Sequence, residues 1–209
     1  MKKTILTTIA IIASVTLFAQ DIAQKVNDKD VARVSNFSGV LVFTDCTPLA
    51  PYEILGEVNS APSSNGSNYI MSTGVMFFMS HSATPQYTDI RNQLITNAVL
   101  ANRQVEGIII SLPKEGEGRA TLIKFKDDSD HNNLAKVNSH QGVMVFTDCM
   151  PINGYTFVGK INKAGGTSAD YSAIRDRLIK KSKKKFPDVQ AIIPRLVSGE
   201  HDSAEAIKF

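Results

Sequence analysis

The sequence predicts an α+β protein made of two tandem β-β-α-β-β repeats, each a small sheet covered by one helix. Three observations carry that prediction. Gly39-Val-Leu-Val-Phe-Thr-Asp-Cys-Thr-Pro48 returns as Gly142-Val-Met-Val-Phe-Thr-Asp-Cys-Met-Pro151. A second collinear block pairs Tyr87 with Tyr171, Ile90 with Ile174, Arg91 with Arg175 and Leu94 with Leu178, and ends by matching Ile123-Lys-Phe125 to Ile207-Lys-Phe209. In each half, runs rich in β-branched residues flank one segment whose apolar positions recur at helical spacing. The first block matches at an offset of 103 residues and the second at 84, so the first copy carries 103 − 84 = 19 extra residues between Asn59 and Tyr87.

Each element follows from its residues. Val40 to Thr47 is apolar on both faces as far as Asp45, the pattern of a buried strand, and Pro48 begins a turn because it cannot donate to a ladder. Glu53 to Asn59, matched by Thr156 to Asn162, reads as a second strand with Gly56 or Gly159 near its middle. From Tyr87 the apolar positions fall at 87, 90, 94, 95, 98 and 99, and in the second copy at 171, 174, 178 and 179, with a stop before Pro187. Val105 to Leu112 and Val189 to Leu196 are strands, the second placed at an edge or bulge by Pro194. Arg119 to Phe125 and Ser203 to Phe209 close the units.

The chain divides accordingly into 1–19, 20–38, 39–125 with an insertion at 60–86, 126–141 and 142–209. Lys2 and Lys3 precede an apolar run from Ile5 to Phe18, followed by Ala19-Gln20, the pattern of a signal peptide cleaved near Ala19. The run is shorter than the roughly 20 residues a membrane span needs, so the expected destination is the periplasm or the outside of the cell. Residues 20–38 are an N-terminal segment and 126–141, with Asp127-Asp-Ser-Asp-His131, a polar linker. Removing 1–19 takes two Lys and no acid from a chain of 23 Lys+Arg and 20 Asp+Glu, which leaves 21 − 20 = +1 and no basis for nucleic-acid binding. Two Cys exclude a disulfide-dense scaffold, and the zinc-protease, P-loop and serine-hydrolase motifs are absent.

Four constellations carry chemistry. Cys46 and Cys149 occupy the same place in Thr-Asp-Cys-x-Pro, and in an oxidising compartment they are candidates for a disulfide, for a reactive thiol pair, or for two small buried side chains. Asp45 and Asp148 recur with Arg91 and Arg175, which suits either an anion site or structural ion pairs tying a strand end to a helix start. Met71, Met76, Met79 and His81 cluster in the insertion and form a soft-metal set; the same Met and Phe residues also suit a partner surface or a core extension. Lys180, Lys181, Lys183, Lys184 and Lys185 crowd the end of the second helix, where cations suit the helix dipole and can face an anionic envelope surface. Residues 39–125 carry 5 basic and 7 acidic side chains and 142–209 carry 11 and 7, so the halves differ in sign, which favours docking of one repeat on another.

Tyr155-Thr-Phe-Val-Gly159, Gly165-Gly-Thr-Ser-Ala-Asp-Tyr171 and Val189-Gln-Ala-Ile-Ile193 together resemble the YbjQ-like domains, a small bacterial family labelled heavy-metal-binding. More distantly the order is similar to that of the envelope stress-sensing outer-membrane lipoprotein of enteric bacteria. The family's Asn-Ala becomes Glu106-Gly107 and Gln190-Ala191 here, and the first copy lacks the Gly-Gly pair. The resemblance implies a fold and a tendency to oligomerise. It implies no catalytic or metal residue. The resulting expectation is an exported, non-enzymatic binding or assembly module without a cofactor, its partner a protein or a second copy. The alternative is a metal- or redox-responsive envelope protein using Cys46 and Cys149 or the Met-rich insertion.

Overall fold

In the computed structural model the described residues are 28–60, 87–112, 118–162, 170–196 and 202–209. They form a mixed α+β fold of three sheets and two helices. The first half contributes β1 (Val31–Val34), β2 (Asn36–Phe37), β3 (Val40–Thr44), β4 (Cys46–Pro48), β5 (Tyr52–Asn59), α1 (Tyr87–Ala101), β6 (Gly107–Ser111) and β7 (Arg119–Phe125). The second contributes β8 (Leu134–Val137), β9 (Ser139–His140), β10 (Val143–Val145), β11 (Cys149–Pro151), β12 (Thr156–Ile161), α2 (Tyr171–Lys185), β13 (Ala191–Arg195) and β14 (Ser203–Lys208).

Two five-stranded sheets share one strand order, β2-β3-β6-β7-β5 and β9-β10-β13-β14-β12. In each, the strand next to the edge pairs in parallel with the strand after the helix, β3 with β6 and β10 with β13, as a crossover helix requires. Each helix buries one stripe on its own sheet. Ile90, Leu94, Ile95 and Ala98 pack on Val42, Ile108 and Leu122, while Ile174, Leu178 and Ile179 pack on Val145, Ile192 and Ala206. The helix spacing read from the sequence is the spacing of these buried side chains, except at Val99, which is exposed. Asp170 caps α2 by accepting from the Ser172 amide at 2.9 Å, and the helix ends one residue before Phe186-Pro187. Gly159 sits at a register shift in β12 with Phe186 pressed against it; a Cβ there would lie 2.2 Å from the ring Cζ.

The third sheet joins the halves. Its order is β11-β1-β8-β4, so β1 lies between two strands of the second half and β8 between two strands of chain 31–48. Ala32 pairs with Ala135, Val31 with Lys136 and Arg33 with Leu134. Because 135 − 32 = 103, a local two-fold axis passes between the two alanines. Beneath this sheet a shared core draws on all three sheets, with Phe43, Phe146, Ile123 and Ile207 all fully buried.

Several sequence expectations change. The run 126–141, read as linker, contains strands β8 and β9, and 20–38 contains β1 and β2. The run 40–47, read as one strand, breaks at Asp45, whose φ of 55° is left-handed; Cys46–Pro48 then leaves for the joining sheet. Asp148 makes the same break at φ 53°. Pro194 lies in an interior strand rather than at an edge. It is tolerated because β13 outruns its neighbour β10, whose pairing stops at Ile192.

Candidate functional site

The two chain breaks aim Asp45 and Asp148 across the local two-fold. Each carboxylate is met by the opposite helix rather than by the helix of its own half. Arg91 Nη1 of α1 donates to Asp148 Oδ1 at 2.7 Å, and Arg175 Nη1 of α2 donates to Asp45 Oδ1 at 3.0 Å. The second oxygen of each accepts from a tyrosine hydroxyl, Tyr87 to Asp148 and Tyr171 to Asp45. The tyrosine oxygens also meet Thr44 Oγ1 at 2.8 Å and Thr147 Oγ1 at 2.6 Å, and the two rings lie against one another with centroids 4.8 Å apart. Strand ends that the sequence pairs with their own helix starts are thus stapled to the other half.

Burial sets the protonation states. It pushes both phenols well above the ordinary tyrosine range, with Asp148 adding to the rise for Tyr87 and Asp45 for Tyr171. Both hydroxyls therefore act as donors at any working pH. Burial also raises the Asp148 carboxyl, against the opposing pull of Arg91 and the Tyr87 hydrogen bond.

The cysteines lie at the same axis. Both are buried free thiols. A hydrogen bond with Cys46, and then burial, hold the Cys149 thiol well above the usual range, so it is not a thiolate nucleophile. Among the described residues no three His, Cys, Asp or Glu side chains are grouped to hold a metal ion. Residues 1–19, expected from the sequence to be a signal peptide, and the candidates Met71, Met76, Met79 and His81 lie outside the described residues.

The two sides of the cluster differ at Asn92 and Asp176, which accept from Arg91 and Arg175 respectively, and more consequentially at one further place. His140 stands in β9 where the first half has Phe37, since 140 − 103 = 37. Arg91 stacks on the Phe37 ring with its guanidinium carbon 4.1 Å from the centroid. On the other side His140 Nε2 lies 3.2 Å from Asp45 Oδ1 and 3.4 Å from Arg175 Nη1. The sequence reading gives His140 no role; continuing the 103-residue register backwards through Gly39 and Gly142 to Phe37 and His140 would have found it. Tyr87 and Tyr171 are visible as repeated residues, but their hydroxyl partners are not.

The lysines of α2 spread over more than one face. Lys183 Nζ donates to the Gln141 carbonyl at 3.0 Å and Lys185 Nζ to the Lys160 carbonyl at 3.1 Å. Lys181, Lys184 and Lys185, with Ile161 and Asn162, line a groove of about 430 Å³ between the end of α2 and the end of β12. No helix among the described residues is long and apolar enough to cross a membrane. Comparison with family models, curated proteins and solved structures finds no match to this chain.

Proposed function

We propose that this chain is an exported, non-enzymatic binding or assembly module of the bacterial envelope, built from a duplicated YbjQ-like unit and associating with a protein partner or with a second copy. One observation carries the reading. Among the described residues β5 and β12 each pair on one side only, and each carries a large exposed apolar side chain at the matching position, Ile54 at 66% and Phe157 at 56% exposure. Unpaired strand edges with exposed apolar residues are templates for strand addition. The non-enzymatic part is supported by the central cluster, whose carboxylates, phenols and guanidinia already bond one another and act as a staple. Export rests on Lys2, Lys3 and the apolar run Ile5–Phe18.

Light scattering of the mature chain and of the Ile54→Lys/Phe157→Lys variant tests the reading. Self-association of the wild type, lost in the variant at unchanged melting temperature, supports it. Identical mass in both removes the edges as a self-association surface. The alternative, a redox-responsive envelope protein, is favoured by the adjacency of Cys46 and Cys149 across the axis. A bridge between them would crosslink the two halves, and thiol counting on unreduced, denatured protein decides whether it forms.

A further inference from the structure

We infer that the groove between α2 and β12 is a binding site for a phosphate monoester, and that it belongs to the second half alone. Lys181, Lys184 and Lys185 line it together with Asn162 and Ile161. These lysines are spaced i, i+3 and i+4, so their ammonium groups share one face of the helix and repel one another. The helix dipole favours cations here, and a bound dianion adds attraction to all three at once. Lys185 is held in place by its bond to the Lys160 carbonyl and by the Phe186 ring, 5.1 Å from its Nζ, so the site is partly organised beforehand. Asn162, which also lines the groove, carries an amide donor, and the apolar Ile161 suits the carbon framework of an ester.

The first half shows what the same place looks like without the site. The positions matching Lys181, Lys184 and Lys185 are Asn97, Leu100 and Ala101 (181 − 84, 184 − 84, 185 − 84), and Asn59 and Val58 match Asn162 and Ile161. There Asn97 Nδ2 donates to the Asn59 carbonyl at 2.9 Å, and Leu100 stands 79% exposed. The fold therefore does not need three cations at this corner. Several ammonium groups in one groove favour a doubly charged group over a single carboxylate, since the attraction of each grows with the charge of the ligand. A phosphate monoester can reach the groove as a small soluble metabolite or as the headgroup of an anionic lipid; the recognising chemistry is the same.

Two charge-matched variants of the full mature chain separate a built site from a merely basic helix. Lys181→Gln/Lys184→Gln removes two groove lysines, and Lys180→Gln/Lys183→Gln removes two lysines of the same helix that do not line the groove. The soluble probe is glycerol 3-phosphate, followed by calorimetry. The surface probe is phosphatidylcholine vesicles containing phosphatidic acid, with pure phosphatidylcholine as the blank, followed by sedimentation. The expected result is about tenfold or greater loss of affinity in the groove variant, with the control variant close to wild type and both melting normally. Loss confined to the vesicle arm assigns the lipid source, and loss in the glycerol 3-phosphate arm assigns the soluble one. Equal losses in the two variants, or no binding of either probe by the wild type, overturn the proposal.

Discussion

Replacing Arg91 by Gln tests whether the crossed ion pairs hold the halves together. The guanidinium bonds Asp148 at 2.7 Å, with the two side chains 13% and 11% exposed. Deleting one member of a buried pair costs about 3–5 kcal/mol, because the partner charge is left without compensation. Here the Tyr87 hydroxyl still donates to the carboxylate and a little solvent reaches it, so about 2–4 kcal/mol at neutral pH is expected. For a chain of this length that lowers the melting temperature by about 5–12 °C. The loss also carries a pH signature. Folded Asp148 already holds its proton to higher pH than an unfolded aspartate, since burial outweighs Arg91. Between the two pKa values the native state binds more protons, so this group's contribution to stability is present below the unfolded value and falls as pH rises through the folded one. Removing Arg91 deletes the strongest influence that lowers the folded value, which lifts it and widens the window. Urea unfolding of wild type and Arg91→Gln at neutral pH and near pH 4 should therefore show a deficit that shrinks in acid, as Asp148 takes up its proton. A deficit equal at both pH values, or below about 0.5 kcal/mol at both, would refute the reasoning.

Three further outcomes follow from the packing. Phe146→Ala, at a fully buried position of the core common to all three sheets, should cost about 3–5 kcal/mol and lower one cooperative transition of the whole chain; two separate calorimetric transitions would show that the joining sheet does not couple the halves. Gly159→Ala should cost about 1–3 kcal/mol by forcing the Phe186 ring off the strand, and a second change, Phe186→Leu, should recover part of the loss in denaturant melts. Burial and the raised Cys149 pKa predict that reduced, folded protein reacts with a thiol reagent far more slowly than the denatured chain, whereas comparable rates would place the thiols in contact with solvent.

Much of the fold was legible. The two helices follow from apolar spacing at 87, 90, 94 and 95 and at 171, 174, 178 and 179, because a helix records its buried face in a local period. The long strands β5, β7 and β14, six to eight residues each, fall in the repeated segments read at 53–59, 119–125 and 203–209. The strands that join the halves were not legible. β1, β4, β8 and β11 are three or four residues long, too short to display a period of two; β1 and β8 sit in the runs read as segment and linker, and β4 and β11 fall where the strand end and the Pro turn are read.

The candidate site divides along the same line. Which residues matter was written in the sequence, since Asp45, Asp148, Arg91, Arg175, Tyr87 and Tyr171 all recur at the offsets of the repeat. Which of them meet was decided by tertiary structure alone. Arg91 reaches a carboxylate 57 positions away and Arg175 one 130 positions away, and each bypasses the aspartate of its own half. No local period or propensity encodes that exchange. It follows from the left-handed turns at Asp45 and Asp148, which carry Cys46–Pro48 and Cys149–Pro151 out of their own sheets and into one sheet built across the axis.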